Sequence, residues 1–254
     1  PATTSSPLDL AIGRYLQFLR AEENKSPLTV ETYSQSLLLL PQLMGISDPR
    51  EVNKGSVRVY KSALHSYRTR QGREFMIRTK NHHLTILRAF LRYLIQEEEM
   101  DVFPPDRVTR FQETERKVKV LFAEDLERLL AAPDTNTREG KRDKAILETF
   151  FSTGLRLAEL RSLNVKDINE KTREISIRGK RGKIRVVFLS DRAVEALKDY
   201  LGSRVDHLTP LFIRALEKAS NIMPPGEEFR LSRVSIWSMV KRYALKAGIV
   251  SNPS

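Results

Sequence analysis

Arg156 is the residue of this sequence whose type and position point most directly to chemistry. It lies in STGLRLAELRSL, residues 152–163, two residues after Gly154. The glycine allows the backbone to approach a ligand closely. Glu159 follows three residues later, where it shares a helical face with Arg156. A guanidinium held by a carboxylate keeps a permanent charge and a fork of donors for phosphate oxygens. We therefore expect Arg156 to face an anionic partner.

Two lysines on a predicted β-hairpin are the second group that could act on this partner. TREISIRGK and KIRVVFLS alternate or carry β-branched residues, as strands do, and they are joined through GKRGK. Lys180 and Lys183 lie in that turn. A lysine there and Arg156 could both reach one phosphate, and spacing alone does not choose between the two lysines.

The charge of the chain indicates which anion it binds. The 254 residues carry a formal net charge of +12, which attracts nucleic acid first and anionic membranes second. Two basic clusters, residues 54–92 and residues 171–185, contain a single acidic residue each, Glu74 and Glu174. One such cluster is often only solvated surface. Two clusters in different halves of the chain favour a clamp around duplex DNA.

Several other classes of protein and site are excluded by composition. The sequence has no apolar run of about eighteen residues, which a membrane span needs, and its polar start lacks the features of a signal peptide. It contains no cysteine, and its four histidines lack metal-ligand spacing. We therefore predict a cytoplasmic protein that needs no metal ion and no small-molecule cofactor, and that does not bind a membrane.

The pattern of apolar residues predicts the elements that position these side chains. Helical periodicity indicates four helices before residue 100, in LDLAIGRYLQFLRAEEN, SPLTVETYSQSLLLLPQL, NKGSVRVYKSALHSYRTRQG and RTKNHHLTILRAFLRYLIQEEE. A charged stretch with two prolines then suggests a linker. Further helices surround the hairpin. The sequence predicts a mainly α-helical fold with a small antiparallel β-sheet: a four-helix domain over residues 1–112, a linker over 113–118 and an α+β domain over 119–254.

Three segments of the second domain resemble the catalytic domain of the tyrosine recombinase (phage integrase) family, and most of all its Xer-type members. They are TGLRLAELRSLNVKDIN, the basic hairpin ISIRGKRGKIRVVFLS and IWSMVKRYALKAGI. In the first domain, SPLTVETYSQSL and RTKNHHLTILRAFLRYL resemble the family's SAM-like core-binding domain. The resemblance implies a site-specific recombinase, which cleaves one DNA strand at a time through a 3′-phosphotyrosyl link and rejoins it to a partner strand. It also implies four protomers in a synaptic complex on double-stranded DNA.

The resemblance also assigns roles to individual residues. Arg156 would be the first catalytic arginine, binding non-bridging oxygens of the scissile phosphate, and Glu159 would orient the site. Lys180 would be the general acid that protonates the leaving 5′-oxygen, with Lys183 as the alternative. Cationic side chains would stabilise the charge without a metal. The DNA-binding residues would be Thr29, Tyr33, Lys80, His82, Arg88, Arg178 and Arg181, with a packing role an equal alternative for Tyr33.

The family's His-x-x-Arg box and nucleophilic tyrosine follow the segment that ends KAGI, whereas these residues end at VSNPS. We therefore expect no nucleophile in this chain, with Tyr243 in the core, and we expect the chain to bind DNA without cleaving it. Two other functions are compatible with the sequence. One is a non-catalytic DNA-binding protein or regulator derived from a recombinase. The other is a type IB topoisomerase, against which the compact four-helix unit argues.

Overall fold

The computed structural model describes residues 5–113, 120–169, 171–178, 184–214 and 225–249, without the side chain of Arg178. These residues are mainly helical, and they contain a three-stranded antiparallel sheet. This confirms the predicted fold class. The chain divides into two compact units, Pro1–Arg116 and Lys117–Ser254. Among the described residues, no helix is both long enough and apolar enough to cross a membrane.

Five α-helices are described in the first unit. They are α1 Pro7–Ala21, α2 Pro27–Leu37, α3 Leu40–Met44, α4 Lys54–Ser66 and α5 Ile77–Gln96. The four longer ones correspond to the four predicted helices. The second predicted segment, however, divides into α2 and the short α3. Pro41 explains the division, because proline has no backbone N–H to donate and is tolerated only in the first turn of a helix.

The core of the first unit lies around α5. This helix packs against α1, α2 and α4, and its Leu84, Leu87 and Phe90 are fully buried. Serine side chains accept hydrogen bonds from the first turns of α1 and α2, and a proline occupies the first position of each. These capped starts place the apolar faces of both helices on the core.

The second unit contains five described α-helices around one core. They are α6 Ala123–Ala131, α7 Arg138–Thr153, α8 Leu157–Ser162, α9 Asp191–Gly202 and α10 Arg233–Lys246. The most extensive packing of two helices joins α7 to α9. Ser190 and Ser232 cap α9 and α10. The core therefore fixes α7, which leads directly into the Arg156 segment.

The sheet of the second unit has the strand order β1-β2-β3. β1 is Ile168–Asn169, β2 is Glu174–Arg178 and β3 is Ile184–Phe188. β2 and β3 form the predicted antiparallel hairpin, whose register pairs Ile177 with Arg185. β1 was not predicted, because two residues are too few to show an alternating pattern.

The Arg156 segment follows a break between two helices. Thr153 ends α7, and Gly154 is its C-cap with a φ of +61°, a left-handed conformation that glycine adopts without steric cost. α8 then begins at Leu157, with Arg156 as its extended N-cap. The apolar spacing runs across this break because both helices face the same core. The turn places Arg156 at the exposed start of α8.

Candidate active site

Glu159 joins two arginines at the start of α8. Its Oε1 accepts a hydrogen bond from Nη1 of Arg156 at 3.0 Å. Its Oε2 accepts one from the backbone N–H of Arg156 at 2.8 Å and one from Nη2 of Arg185 at 2.8 Å. Arg156 and Glu159 therefore meet as their spacing predicts, and strand β3 adds a second guanidinium. We call these three residues the arginine–glutamate cluster.

The members of the cluster differ in their exposure. The side chain of Glu159 is 10% exposed, whereas those of Arg156 and Arg185 are 74% and 42% exposed. Burial raises the pKa of Glu159, but the hydrogen bonds from Arg156 and Arg185 outweigh that effect and hold the pKa below its usual value. One ionised carboxylate thus faces two guanidinium groups. The cluster keeps a net positive charge at the surface, where a phosphate could bind.

Ser152 makes a second connection between this segment and the hairpin. Its hydroxyl donates to the carbonyl oxygen of Phe188 at 3.1 Å and accepts from the backbone N–H of Ser190 at 2.6 Å. Phe188 is the last residue of β3, and Ser190 caps α9. The end of β3 is therefore held against the C-terminal turn of α7.

The sequence interpretation assigned no site role to Arg185 or Ser152. Arg185 was counted only as a member of a basic cluster. The strand pattern did indicate that Arg185 has a special environment. Alternation places Arg185 on the same face of the sheet as Val187, and its register partner on the neighbouring strand is the buried Ile177. A charged side chain that shares a face with a buried apolar residue is a candidate for an ion pair. Ser152 gave no such signal, because its partners are backbone atoms 36 and 38 residues away in sequence.

The structure does not describe the hairpin side chains of the predicted site. Lys180, Arg181 and Lys183 lie outside the described residues, and so does the side chain of Arg178. The backbone of Arg178 ends β2, and Ile184 begins β3. The roles of these four residues stay predictions.

The predicted DNA-binding residues of the first unit occupy different environments. His82 is exposed and Thr29 half-buried, and Arg88 forms an ion pair with Asp106 at 3.0 Å. Tyr33 is half-buried and packs against the core, where its ring lies 6.3 Å from that of Tyr15. The packing alternative therefore has direct structural support for Tyr33.

Lys80 is buried, in contrast to the surface lysines that usually contact phosphate. Only 4% of the residue is exposed. Its Nζ donates a hydrogen bond to the carbonyl oxygen of His65 at 3.3 Å and lies 3.3 Å from the Nδ1 atom of that histidine. Its ammonium group is thus already engaged within the first unit. A direct contact between Lys80 and DNA would require these bonds to be exchanged.

Tyr243 lies in the core of the second unit, as predicted. Its hydroxyl donates to Oδ2 of the fully buried Asp143 at 3.0 Å. Asp143 also accepts hydrogen bonds from Arg142 and Arg242. Burial and the nearby charge of Asp143 raise the pKa of Tyr243. This network joins α7 to α10, and a phenol held within it has a structural role. Within the described ranges, no three His, Cys, Asp or Glu side chains are arranged to hold a metal ion.

Comparison with known families matches both units of the chain. Residues 119–254 match the model of the phage integrase family, and residues 12–98 match its N-terminal SAM-like domain. The first match alone covers more than half of the chain. The chain belongs to the phage integrase family. This result confirms the resemblance on which the residue roles depend.

Relatives of this integrase-family chain include Xer tyrosine recombinases. XerC of Pelotomaculum thermopropionicum is 31% identical over 247 residues, which cover 94% of this chain and 78% of the relative. XerD of Listeria monocytogenes serotype 4b is 27% identical over 239 residues, which cover 92% and 77%. The similarity therefore spans both units.

Solved recombinase structures share this integrase-family fold. The XerH recombinase bound to a palindromic difH substrate has a TM-score of 0.69 at 18% identity, with 98% of this chain and 83% of XerH covered. A lambda integrase dimer bound to a COC′ core site has a TM-score of 0.69 at 13% identity, covering 96% and 83%. At such identities the similarity establishes the fold alone.

Proposed function

We propose that this protein binds duplex DNA and catalyses site-specific recombination, cleaving and rejoining strands through a 3′-phosphotyrosyl intermediate. The observation that carries the proposal is the arginine–glutamate cluster, in which a carboxylate that is 10% exposed fixes the exposed guanidinium of Arg156 at the start of α8. Membership of the phage integrase family and the Xer relatives support the same reaction. The DNA partner and the compartment follow from it, and we propose that the protein acts in the cytoplasm.

Each member of the proposed site has one chemical task. Arg156 binds the non-bridging oxygens of the scissile phosphate and stabilises the negative charge that develops as the tyrosine oxygen attacks. Glu159 holds that guanidinium in place through its side chain and its hydrogen bond to the backbone of Arg156. Lys180, or Lys183 in its place, gives a proton to the 5′-oxygen as the bond from phosphorus to that oxygen breaks.

Both units contribute to DNA binding in this proposal. Residues 1–112 act as the core-binding domain, residues 113–118 as the linker and residues 119–254 as the catalytic domain. Arg88, His82 and Thr29 contact DNA from the first domain, and Arg178 and Arg181 contact it from the hairpin. Tyr33 either contacts DNA as well or serves only to pack against the core of that domain. Lys80 adds positive charge from within the first domain.

We also propose that four protomers assemble on two DNA sites. The fold neighbours include a lambda integrase tetramer bound to a Holliday junction. Strand exchange between two duplexes requires at least two cleavages to be coordinated. An assembly of protomers on paired sites supplies that coordination.

DNA binding by the 254-residue chain is the first test. We expect its affinity for duplex DNA, measured by fluorescence anisotropy, to fall linearly in log K against log salt, with a slope of about −0.9 for each phosphate neutralised. A slope near zero would contradict the basic clamp. Selection from a random duplex pool would then identify the preferred site.

Strand cleavage by the protein expressed from its complete gene is the second test. A nicked suicide duplex with the selected site should trap a covalent protein–DNA adduct on a denaturing gel. Two such sites on separate duplexes should exchange strands, which a type IB topoisomerase does not do. Binding without an adduct or exchange would instead support a non-catalytic regulator.

A further inference from the structure

Strand β3 is attached near both ends to the segment that carries Arg156. Near its start, Nη2 of Arg185 donates to Oε2 of Glu159 at 2.8 Å. At its end, the Ser152 hydroxyl bonds to the carbonyl oxygen of Phe188 at 3.1 Å and to the N–H of Ser190 at 2.6 Å. Residues 185 and 188 are three positions apart, or about 10 Å along a strand. Two attachments at this separation fix both the distance and the tilt of β3 relative to the segment that carries Arg156.

The register of the hairpin places Arg185 on the face of the sheet that carries buried side chains. Its register partner Ile177 is 3% exposed, whereas Ile184 and Val186, which alternate with Arg185, are 68% and 48% exposed. Arg185 thus shares a face of the sheet with Ile177 and Val187, although 42% of its own side chain stays exposed. The carboxylate of Glu159, which is 10% exposed, pairs with its guanidinium there.

Glu159 links the position of the strand to that of Arg156. The same oxygen, Oε2, accepts from Arg185 and from the backbone N–H of Arg156. Lys183 precedes Arg185 by only two residues in the chain. Any shift of β3 relative to α8 therefore moves the base of the hairpin turn relative to the guanidinium of Arg156.

We propose that Arg185 and Ser152 are positioning residues, which fix β3 against the Arg156 turn so that a hairpin lysine reaches the leaving oxygen of the phosphate bound by Arg156. This inference rests on the proposed function. The two arginines then have different tasks. Arg156 binds the phosphate directly, whereas Arg185 acts on the reaction only through Glu159 and the position of β3.

The leaving group of the substrate provides a test that a purely structural role would not pass. In cleavage, the tyrosine oxygen forms a bond to phosphorus, the bond to the 5′-oxygen breaks, and the lysine protonates that oxygen. A 5′-bridging sulfur leaves as a thiolate and needs little protonation. A 5′-phosphorothiolate substrate should therefore restore cleavage in variants whose only defect is a misplaced general acid.

We expect Arg185→Ala and Ser152→Ala to slow adduct formation on ordinary DNA roughly 10- to 100-fold, since small displacements of a catalytic group have effects of that order. On the phosphorothiolate both should return to within about threefold of the unsubstituted protein. Arg185→Lys keeps a charge and a donor for Glu159, so it should retain more activity on ordinary DNA than Arg185→Ala. Slow cleavage on both substrates would overturn the proposal, and would place Arg185 on the phosphate or in the fold alone.

Arg14→Ala is a matched control. Arg14 and Glu98 form an ion pair in the first unit with side-chain exposures of 53% and 14%, close to those of Arg185 and Glu159. We expect this variant to cleave both substrates at the unsubstituted rate. Loss of cleavage in Arg14→Ala would show that removal of any such pair is damaging, and would overturn the specific role of Arg185.

A distance measurement tests the strand position without catalysis. The chain has no cysteine, so two introduced cysteines can be labelled without interference. Spin labels are attached at Phe151→Cys on α7 and Ile184→Cys on β3, where both side chains are exposed. We expect a broader distance distribution in Arg185→Ala and Ser152→Ala, and a narrow one in Arg185→Lys and in Arg14→Ala. Unchanged distributions would overturn the proposal. Failure of the proposed function would appear separately, as no adduct from the unsubstituted protein.

Discussion

Replacement of Arg156 by alanine should separate activity from stability. The side chain is 74% exposed, and its ion pair with Glu159 spans three residues of sequence. Exposed ion pairs of this kind contribute about 0–1 kcal/mol. The cap of α8 also survives, because the N–H that donates to Glu159 belongs to the backbone. We therefore expect the free energy of unfolding to fall by about 1 kcal/mol at most.

The loss of cleavage should be much larger. Removing one preorganised hydrogen-bond donor from an oxyanion site slows reactions about 100- to 1000-fold, or roughly 3–4 kcal/mol in transition-state free energy. Arg156 uses one side-chain N–H for Glu159, which leaves a fork of donors for phosphate oxygens. Arg156→Lys should also fail, since a point charge does not reproduce two parallel hydrogen bonds.

Arg128→Ala is the matched control for this experiment. Arg128 is 55% exposed and pairs with Asp125 three residues away, and it lies on α6. Adduct formation on the suicide duplex reports activity, and urea denaturation followed by circular dichroism reports stability. The reasoning is refuted if Arg156→Ala cleaves as fast as Arg128→Ala, or if it unfolds far more readily.

Three further predictions concern the rest of the site. Lys180→Ala should cleave ordinary DNA slowly and be rescued by the phosphorothiolate, whereas Lys183→Ala should show neither effect; rescue of Lys183→Ala alone would reassign the general acid. Tyr243→Phe should form the adduct normally but lose about 2 kcal/mol of stability in urea, the usual value of a hydrogen bond to a charged group; an adduct mapped to Tyr243 would contradict its placement. The pKa of Glu159 is lowered from 4.5, so its contribution to stability is present above pH 4.5 and is lost as the pH falls through the lowered pKa. Thermal unfolding of Glu159→Gln should therefore depend less on pH in this acidic range, and an identical pH dependence would exclude Glu159 as its source.

Local patterns were sufficient to predict most of the fold. The helical periodicity of the apolar residues and the alternating strands of the hairpin are features of neighbouring residues. The break at Gly154 also has a local signal, because a glycine after the last residue of a helical pattern is a common helix end. The apolar spacing continues into α8 because both helices share a core.

The residues that hold the site together could not be predicted in the same way. Arg156 and Glu159 are three residues apart, so helical geometry brings them together in any fold that forms α8. Arg185 reaches Glu159 across 26 residues, and Ser152 reaches Phe188 across 36. Those contacts depend on how the sheet packs on the helices. A sequence shows which side chains are present there, but not which of them meet.

The charge balance of the cluster follows from this tertiary arrangement and has a direct consequence for binding. One carboxylate serves two guanidinium groups, which leaves one positive charge, equal and opposite to the charge of one phosphodiester. A second carboxylate beside Arg185 would neutralise the site before DNA arrived. At an effective dielectric constant of 20, unit charges 4 Å apart interact by about 4 kcal/mol, so that neutralisation would remove most of the attraction for the phosphate. By holding both arginines with Glu159 alone, the fold orders the site and keeps it electropositive.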